Sequence, residues 1–379
     1  MGESQDRQWL LEQGGPVIRW RTVTELGGDI PVSETASLAQ KLADFPLVQE
    51  WISRLTLADF PVPLDAIDSA SLRWLGNKVH GGKAACLENV FGKLAEFGLR
   101  AGLPGLDERA LMFLPIFRWQ PEWKSDTTFL NAWENLVKSV FAWGLLRLGY
   151  TPDAPMAEFL RKHLENCHKI ARDRVYDLYA DENELIGLPK AWVGKPILKQ
   201  EVMANYWLPY IHDFYVFAHW PSDMLDETAR KMIDDILAYI LDPRFQALHE
   251  GYGYAWIKER RTCYGWGWSP HLPGYPDPEQ AAKAGKNLQG LVRQLELMVH
   301  FASLRDSLWL HESLRFLEGF RTSEGRYCFP AEFLRESEGY YVSGYGMGLG
   351  ENRRKSNWVE IESTFRMLKI QTLLKRMES

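Results

Sequence analysis

Residues 84–101, AACLENVFGKLAEFGLRA, and residues 127–148, TTFLNAWENLVKSVFAWGLLRL, decide the fold class. Apolar residues recur in both at intervals of three and four, the period of a helix face. The two stretches also echo each other. Glu88-Asn89-Val90 leads to Phe97-Gly98-Leu99 and Gly102, and 46 residues later Glu134-Asn135-Leu136 leads to Trp143-Gly144-Leu145 and Gly149. That period suits one helix pair, and Glu362-Ser363-Thr364-Phe365 is a looser third copy.

Outward from these stretches, the same spacing predicts helices over 6–13, 16–26, 35–56, 69–76, 107–118, 154–179, 196–219, 223–241, 285–304, 307–321 and 358–377. Alternating β-branched runs are scarce, so the expectation is an all-α single domain over residues 1–379, built from antiparallel helical hairpins. Such hairpins either stack into an open superhelix or close into a ring of inner and outer helices. Three connections, 76–84, 242–284 and 322–357, are long and rich in Gly and aromatic residues. Long loops inside a compact chain usually carry function, which favours the ring, with a cavity at the end where they meet.

Composition narrows the function. The 44 basic and 50 acidic residues leave a net charge of −6 with no basic half, a poor match for a nucleic-acid binder that must neutralise phosphates. No apolar run is long enough to span a bilayer. Cys86, Cys167, Cys263 and Cys328 lie far apart, and MGESQDRQWLLEQ lacks a secretory pattern, so a reducing cytoplasm is expected. The distinctive feature is 16 Trp, 15 Tyr and 18 Phe.

Four segments carry a resemblance: WLLEQGGPVIRWRTVTEL, HGGKAACLENVFGKLAEFGLRAG, YGWGWSPHLPGY and GYYVSGYGMGLGENRRKSNWVEIESTFRMLKI. Together they resemble bacterial proteins related to the terpenoid cyclase and protein prenyltransferase α/α toroids. The resemblance implies an (α/α)6 toroid whose inner-helix entry loops surround one cavity, and a cyclase-, isomerase- or lyase-like reaction. The aspartate motifs of those cyclases are missing, since Asp65-Ala66-Ile67-Asp68 and Asp234-Asp235 have the wrong spacing. The Asp, Cys and His zinc ligands of the prenyltransferases have no match in the sequence pattern either. The resemblance therefore carries the fold rather than the chemistry.

Candidate site residues come from the loops. HEGYGYAWIKERRTCYGWGWSPHLPGYP, residues 249–276, sets Tyr264, Trp266 and Trp268 among glycines and prolines. Flat rings in such a loop either wall a pocket or plug the barrel end. His271 in the same segment is suited to proton transfer. In the tail loop, Tyr341 and Tyr345 extend the wall, and Arg353 precedes the last helix, where positive potential favours an anionic group. No strand precedes Gly346, Gly348 and Gly350, so a nucleotide loop is not expected. His80, in flexible glycines, precedes a helix bearing Glu88, whose pKa burial could raise toward neutrality. Glu362 follows its own loop similarly.

The expected catalytic set is thus Glu88, His80, His271 and Glu362. The expected binding wall is Tyr264, Trp266, Trp268, Tyr341, Tyr345 and Arg353. No cofactor or metal is expected: His163, Cys167 and His168 have charged neighbours that suggest a solvated helix face, His311-Glu312 lacks a second His, and His212 and His219 read as core histidines. The leading function is acid/base chemistry on a small, largely apolar or ring-containing molecule. Two alternatives stand beside it: a glycan-processing barrel using paired carboxylates, and a non-enzymatic helical scaffold with an exposed aromatic surface.

Overall fold

The computed structural model describes residues 2–27, 31–60, 62–120 and 127–376. Among them, 57% of residues are helical, in 17 α-helices and several short 3-10 turns, and only 4% lie in strands, so the protein is all-α. Prolines divide two of the expected helices. The stretch 35–56 forms Val32–Ala43 and Pro46–Ser53, and the stretch 196–219 forms Gln200–Asn205 and Ile211–His219 on either side of Pro209. Phe45, before Pro46, is pushed out of the helical region (ψ 120°), and the Gln200–Asn205 helix ends at an extended Tyr206. One four-residue hairpin, Tyr254–Ile257 against Thr262–Gly265, lies in the aromatic loop, with Trp256 opposite Cys263. Its strands are too short to register as an alternating pattern.

Five helices are buried along most of their length, Pro16–Leu26, Leu87–Glu96, Thr127–Arg147, Ile211–His219 and Leu291–Met298, and a sixth, Trp358–Arg376, is buried over its middle. Every residue of Leu87–Glu96 and of Leu291–Met298 is buried, the mark of an interior helix. Pro16–Leu26 packs on Trp358–Arg376, and contact passes in turn to Leu291–Met298, Ile211–His219, Thr127–Arg147 and Leu87–Glu96. The Trp20 indole and the Arg21 guanidinium then donate to the carbonyls of Gly98 (2.8 Å) and Glu96 (2.7 Å), linking the last of these back to the first. Close approach between neighbours depends on missing side chains. A Cβ on Gly92 would lie 2.3 Å from the Tyr341 ring, and one on Gly144 2.5 Å from Phe91.

Other helices back these six. Val32–Ala43 packs on Pro16–Leu26, Pro46–Ser53 on Leu87–Glu96, and Ser69–Val79 on Thr127–Arg147. In Ala154–Asp173, Met156, Leu160, His163, Leu164, Cys167 and Ile170 turn inward, while Arg161, Lys162 and Glu165 face solvent. The expected solvated face for His163 and Cys167 is therefore corrected: the charged neighbours occupy the opposite side.

Deep between the six helices the interior is ionic. Glu96 accepts from Arg366 (2.9 Å) and the Tyr341 hydroxyl (2.6 Å), with Arg293 and Arg147 at 3.3 and 3.4 Å. Burial alone would raise the Glu96 pKa, but the surrounding arginines hold it well below the carboxylate range. Arg366 also binds Glu296 at 2.8 Å. The void left there is about 20 Å³, so space for a ligand lies instead at the loop end.

Candidate functional site

His80 ends the helix Ser69–Val79, where the chain turns extended (φ −117°, ψ 123°). Glu88 lies in the first turn of Leu87–Glu96 and His212 in the first turn of Ile211–His219, both fully buried. Asn89 fixes the intervening loop. Its amide donates to the carbonyls of Gly81 (2.7 Å) and Lys83 (2.8 Å), and its oxygen accepts from the Tyr341 N–H (2.8 Å). The aromatic loop is tied down by the Ile211 N–H, which donates to the Trp268 carbonyl at 2.9 Å. Gly267 has φ 75°, and a Cβ there would lie 2.1 Å from Tyr210, so only glycine permits this placement of Trp268.

A relay of two hydrogen bonds results. The Trp268 indole donates to His80 Nε2 at 2.7 Å, and His80 Nδ1 meets Glu88 Oε2 at 2.5 Å. An indole N–H can only donate, so Nε2 is the acceptor and the neutral imidazole carries its proton on Nδ1, toward Glu88. Burial would raise the Glu88 pKa, but His80 and His212 hold it down, to about 2. Glu88 is thus a carboxylate at neutral pH, opposite to the raised pKa that burial suggests from the sequence. His212 Nε2 stands 3.5 Å from Glu88 Oε2, beyond a well-formed hydrogen bond. Glu88 Oε1 and both His212 nitrogens have no hydrogen-bond partner.

Two cavities adjoin this group. The smaller, about 310 Å³, is lined by His80, Trp133, Leu136, Tyr210, Tyr264, Trp266, Trp268 and Tyr340. The larger, about 610 Å³, is lined by Trp268, Tyr340 and Tyr345 together with Ser269, His271, Asn287, Gln289, Gln294 and Ser343. Trp268 and Tyr340, with ring centroids 4.4 Å apart, border both. The Tyr340 ring also lies 5.3 Å from His80.

The expected site residues divide accordingly. His80, Tyr264, Trp266 and Trp268 line the smaller cavity, Glu88 lies behind His80, and Tyr345 lines the larger. His271 also lines the larger cavity, but its Nε2–H donates to the Leu248 carbonyl (3.1 Å) and its Nδ1 accepts from Ser269 (2.6 Å). Burial pushes its pKa down to about 4, so it is neutral and committed to holding the loop. Tyr341 is buried, with its hydroxyl bonding Glu96 and Arg147, and with Tyr345 it lines a third cavity of about 280 Å³. Glu362 and Arg353 form a separate group. Glu362 accepts from the Leu349 N–H (2.8 Å) and faces Arg353 at 3.4 Å, while Arg353 donates to the Leu334 carbonyl (2.7 Å) and covers the Trp358 ring. Glu362 shares no hydrogen-bond partner with Glu88 and lines neither cavity.

Sequence reasoning missed His212, Tyr340 and Gln294 as site residues. One signal was available for the first: His212 is the second residue of its interior helix, as Glu88 is of its own.

Two groups among the described residues bring metal-ligand atoms together: His80, Glu88 and His212, and His163, Cys167 and Asp213. In the first, coordination through His80 Nδ1 would move the proton to Nε2, against the Trp268 N–H, so the arrangement favours a proton relay. In the second, Asp213 Oδ1 accepts from His163 Nε2 (2.8 Å). Its Oδ2 accepts from the Cys167 thiol (3.5 Å), the Trp207 indole (3.2 Å) and the Tyr210 N–H (2.8 Å). Burial and the Asp213 charge push the Cys167 pKa well above the thiol range. As arranged, this is a buried hydrogen-bonded knot joining two helices.

Comparison with known proteins finds no match: no family model fits the chain, and no curated protein or solved structure is similar to it. No helix among the described residues is long and apolar enough to cross a membrane.

Proposed function

We propose that the protein is an enzyme in which His80, oriented by Glu88, moves a proton on an apolar or ring-containing small molecule bound in the smaller cavity. One observation carries this reading: a fully buried, ionised Glu88 holds the Nδ1–H of a histidine whose Nε2 faces an aromatic-walled cavity. A carboxylate behind an imidazole fixes the tautomer and stabilises the imidazolium formed when Nε2 accepts a proton. The Trp268 indole stands where the substrate's proton would have to be, so binding displaces it. The scaffold we propose is a closed (α/α)6 toroid. The unbroken succession of contacts around the six interior helices, and the helices packed outside them, support it. Hydrolysis by paired carboxylates has less support, because Glu362 lies in a different group from Glu88.

The test uses phenacyl bromide, an aromatic haloketone that fits the cavity. His80 Nε2 attacks its methylene carbon, forming a C–N bond as bromide leaves. In a Cys328→Ser background, which removes the one exposed thiol, peptide mapping is expected to find one adduct, on His80. Glu88→Gln is expected to slow its formation at least about tenfold. Labelling spread over other histidines, with His80 spared, would remove this reading.

A further inference from the structure

The larger cavity differs in chemistry from the one over His80. Its lining includes one carboxylate, Glu250, and the imidazole of His249, both solvent-exposed, but no Lys or Arg, so it has no guanidinium or ammonium to pair with a phosphate or carboxylate. Beside these and His271, amides and hydroxyls supply the rest of its side-chain polarity, from Asn287, Gln289, Gln294, Ser269 and Ser343. Most are already engaged: Gln289 bridges Arg335 and the Ser343 carbonyl, and Ser269 bridges Gly251 and His271. Gln294 is the exception. It projects from the interior helix Leu291–Met298, is 6% exposed, and its amide nitrogen has no hydrogen-bond partner. A buried, unpaired amide donor costs free energy unless a ligand or water takes the bond. The rings of Trp268, Tyr340 and Tyr345 line the same cavity. Neutral hydrogen-bonding groups beside flat aromatic faces match a molecule with hydroxyls around its edge and C–H groups on its face.

We propose that the larger cavity binds an uncharged sugar ring. The substrate is then a glycoside, with its sugar against Gln294 and its apolar ring beside His80, spanning the Trp268–Tyr340 pair that borders both cavities. The assignment rests on the His80–Glu88 reading of the smaller cavity and adds the chemical class of what is bound.

The experiment measures binding of phenyl glycosides of glucose, galactose, mannose and N-acetylglucosamine to the full chain, beside phenol and the matching methyl glycosides. At least one phenyl glycoside is expected to bind tenfold or more tightly than either of its halves. Gln294→Leu is expected to weaken that glycoside about tenfold, the worth of one hydrogen bond to a buried amide, with phenol binding retained as the check on folding. The same glycoside is expected to protect His80 of the unsubstituted protein from phenacyl bromide. A panel in which no glycoside exceeds phenol, or a Gln294→Leu variant that binds the glycoside as tightly as before, would overturn the sugar assignment. Failure of His80 to label in the free protein would instead strike the dyad, so the two ideas fail separately.

Discussion

Replacing Glu88 by Gln removes one ionisable group while keeping an oxygen that can accept from His80 Nδ1. In the folded protein Glu88 titrates at about 2, against an ordinary 4.5. A depressed carboxylate contributes stability that is fully present above its unfolded pKa and is lost as pH falls through its folded pKa. The difference of about 2.5 units corresponds to roughly 3 kcal/mol at pH 5, falling to about 1 kcal/mol at pH 3. Urea unfolding of the natural sequence and of Glu88→Gln, followed by circular dichroism at several pH values between 3 and 7, reads this directly. The gap between the two midpoints should narrow steadily as the pH falls from 5 to 3. A gap of constant size across that range would refute the claim that Glu88 is held ionised by its two histidines.

Three further outcomes follow from the same geometry. Burial pushes Glu362 up to about 7, so ionising it costs stability as pH rises from 4.5 through 7. Glu362→Gln should therefore stabilise the fold by about 1 kcal/mol at pH 5 and about 3 kcal/mol at pH 8, measured by urea midpoints, and an equal effect at both would count against it. Trp268→Phe keeps the ring and deletes the N–H that caps His80 Nε2. It should cost about 1 kcal/mol of stability and speed phenacyl labelling of His80, whereas slower labelling would mean the indole aids the base instead of covering it. Trp266→Ala, at a ring 6% exposed, should cost about 3–5 kcal/mol and weaken phenol binding; unchanged phenol binding in a folded variant would place the ligand elsewhere.

The helical class was legible because periodicity is a local property. The Leu87–Glu96 and Thr127–Arg147 helices carry it over several turns. Their echo was less informative than it looks. Gly98 ends its helix with φ 72°, whereas Gly144, at the matching place, lies inside its helix against Phe91. Similar letters thus serve a chain reversal in one copy and a close approach in the other. In the site, Glu88 and His80 are near neighbours in sequence, and their pairing could be anticipated.

The direction of the Glu88 shift could not. It depends on His212, brought in from a helix more than a hundred residues away, and on whether neighbours outweigh burial. Likewise Glu362, just after a loop, and Tyr341, within one, occupy suggestive positions, yet their partners are Arg353 and the Glu96 cluster. Only the packing of distant helices decides that. The aromatic loops divide on the same principle. Trp268 and Tyr345 border the larger cavity, while Tyr341, seated against Gly92, is buried and borders a different cavity of about 280 Å³.

The central claim is that His80 carries its proton toward Glu88 and offers Nε2 to the cavity. Two-bond proton–nitrogen correlation spectra of the imidazoles, recorded at pH 8 and assigned with His80→Gln, test it most directly. The account predicts the His80 ring in the Nδ1–H form, with Nε2 showing the shift of a hydrogen-bonded acceptor that changes in Trp268→Phe. A His80 ring in the Nε2–H form would contradict it, since the base would then face Glu88 and the cavity would hold no proton acceptor at that position.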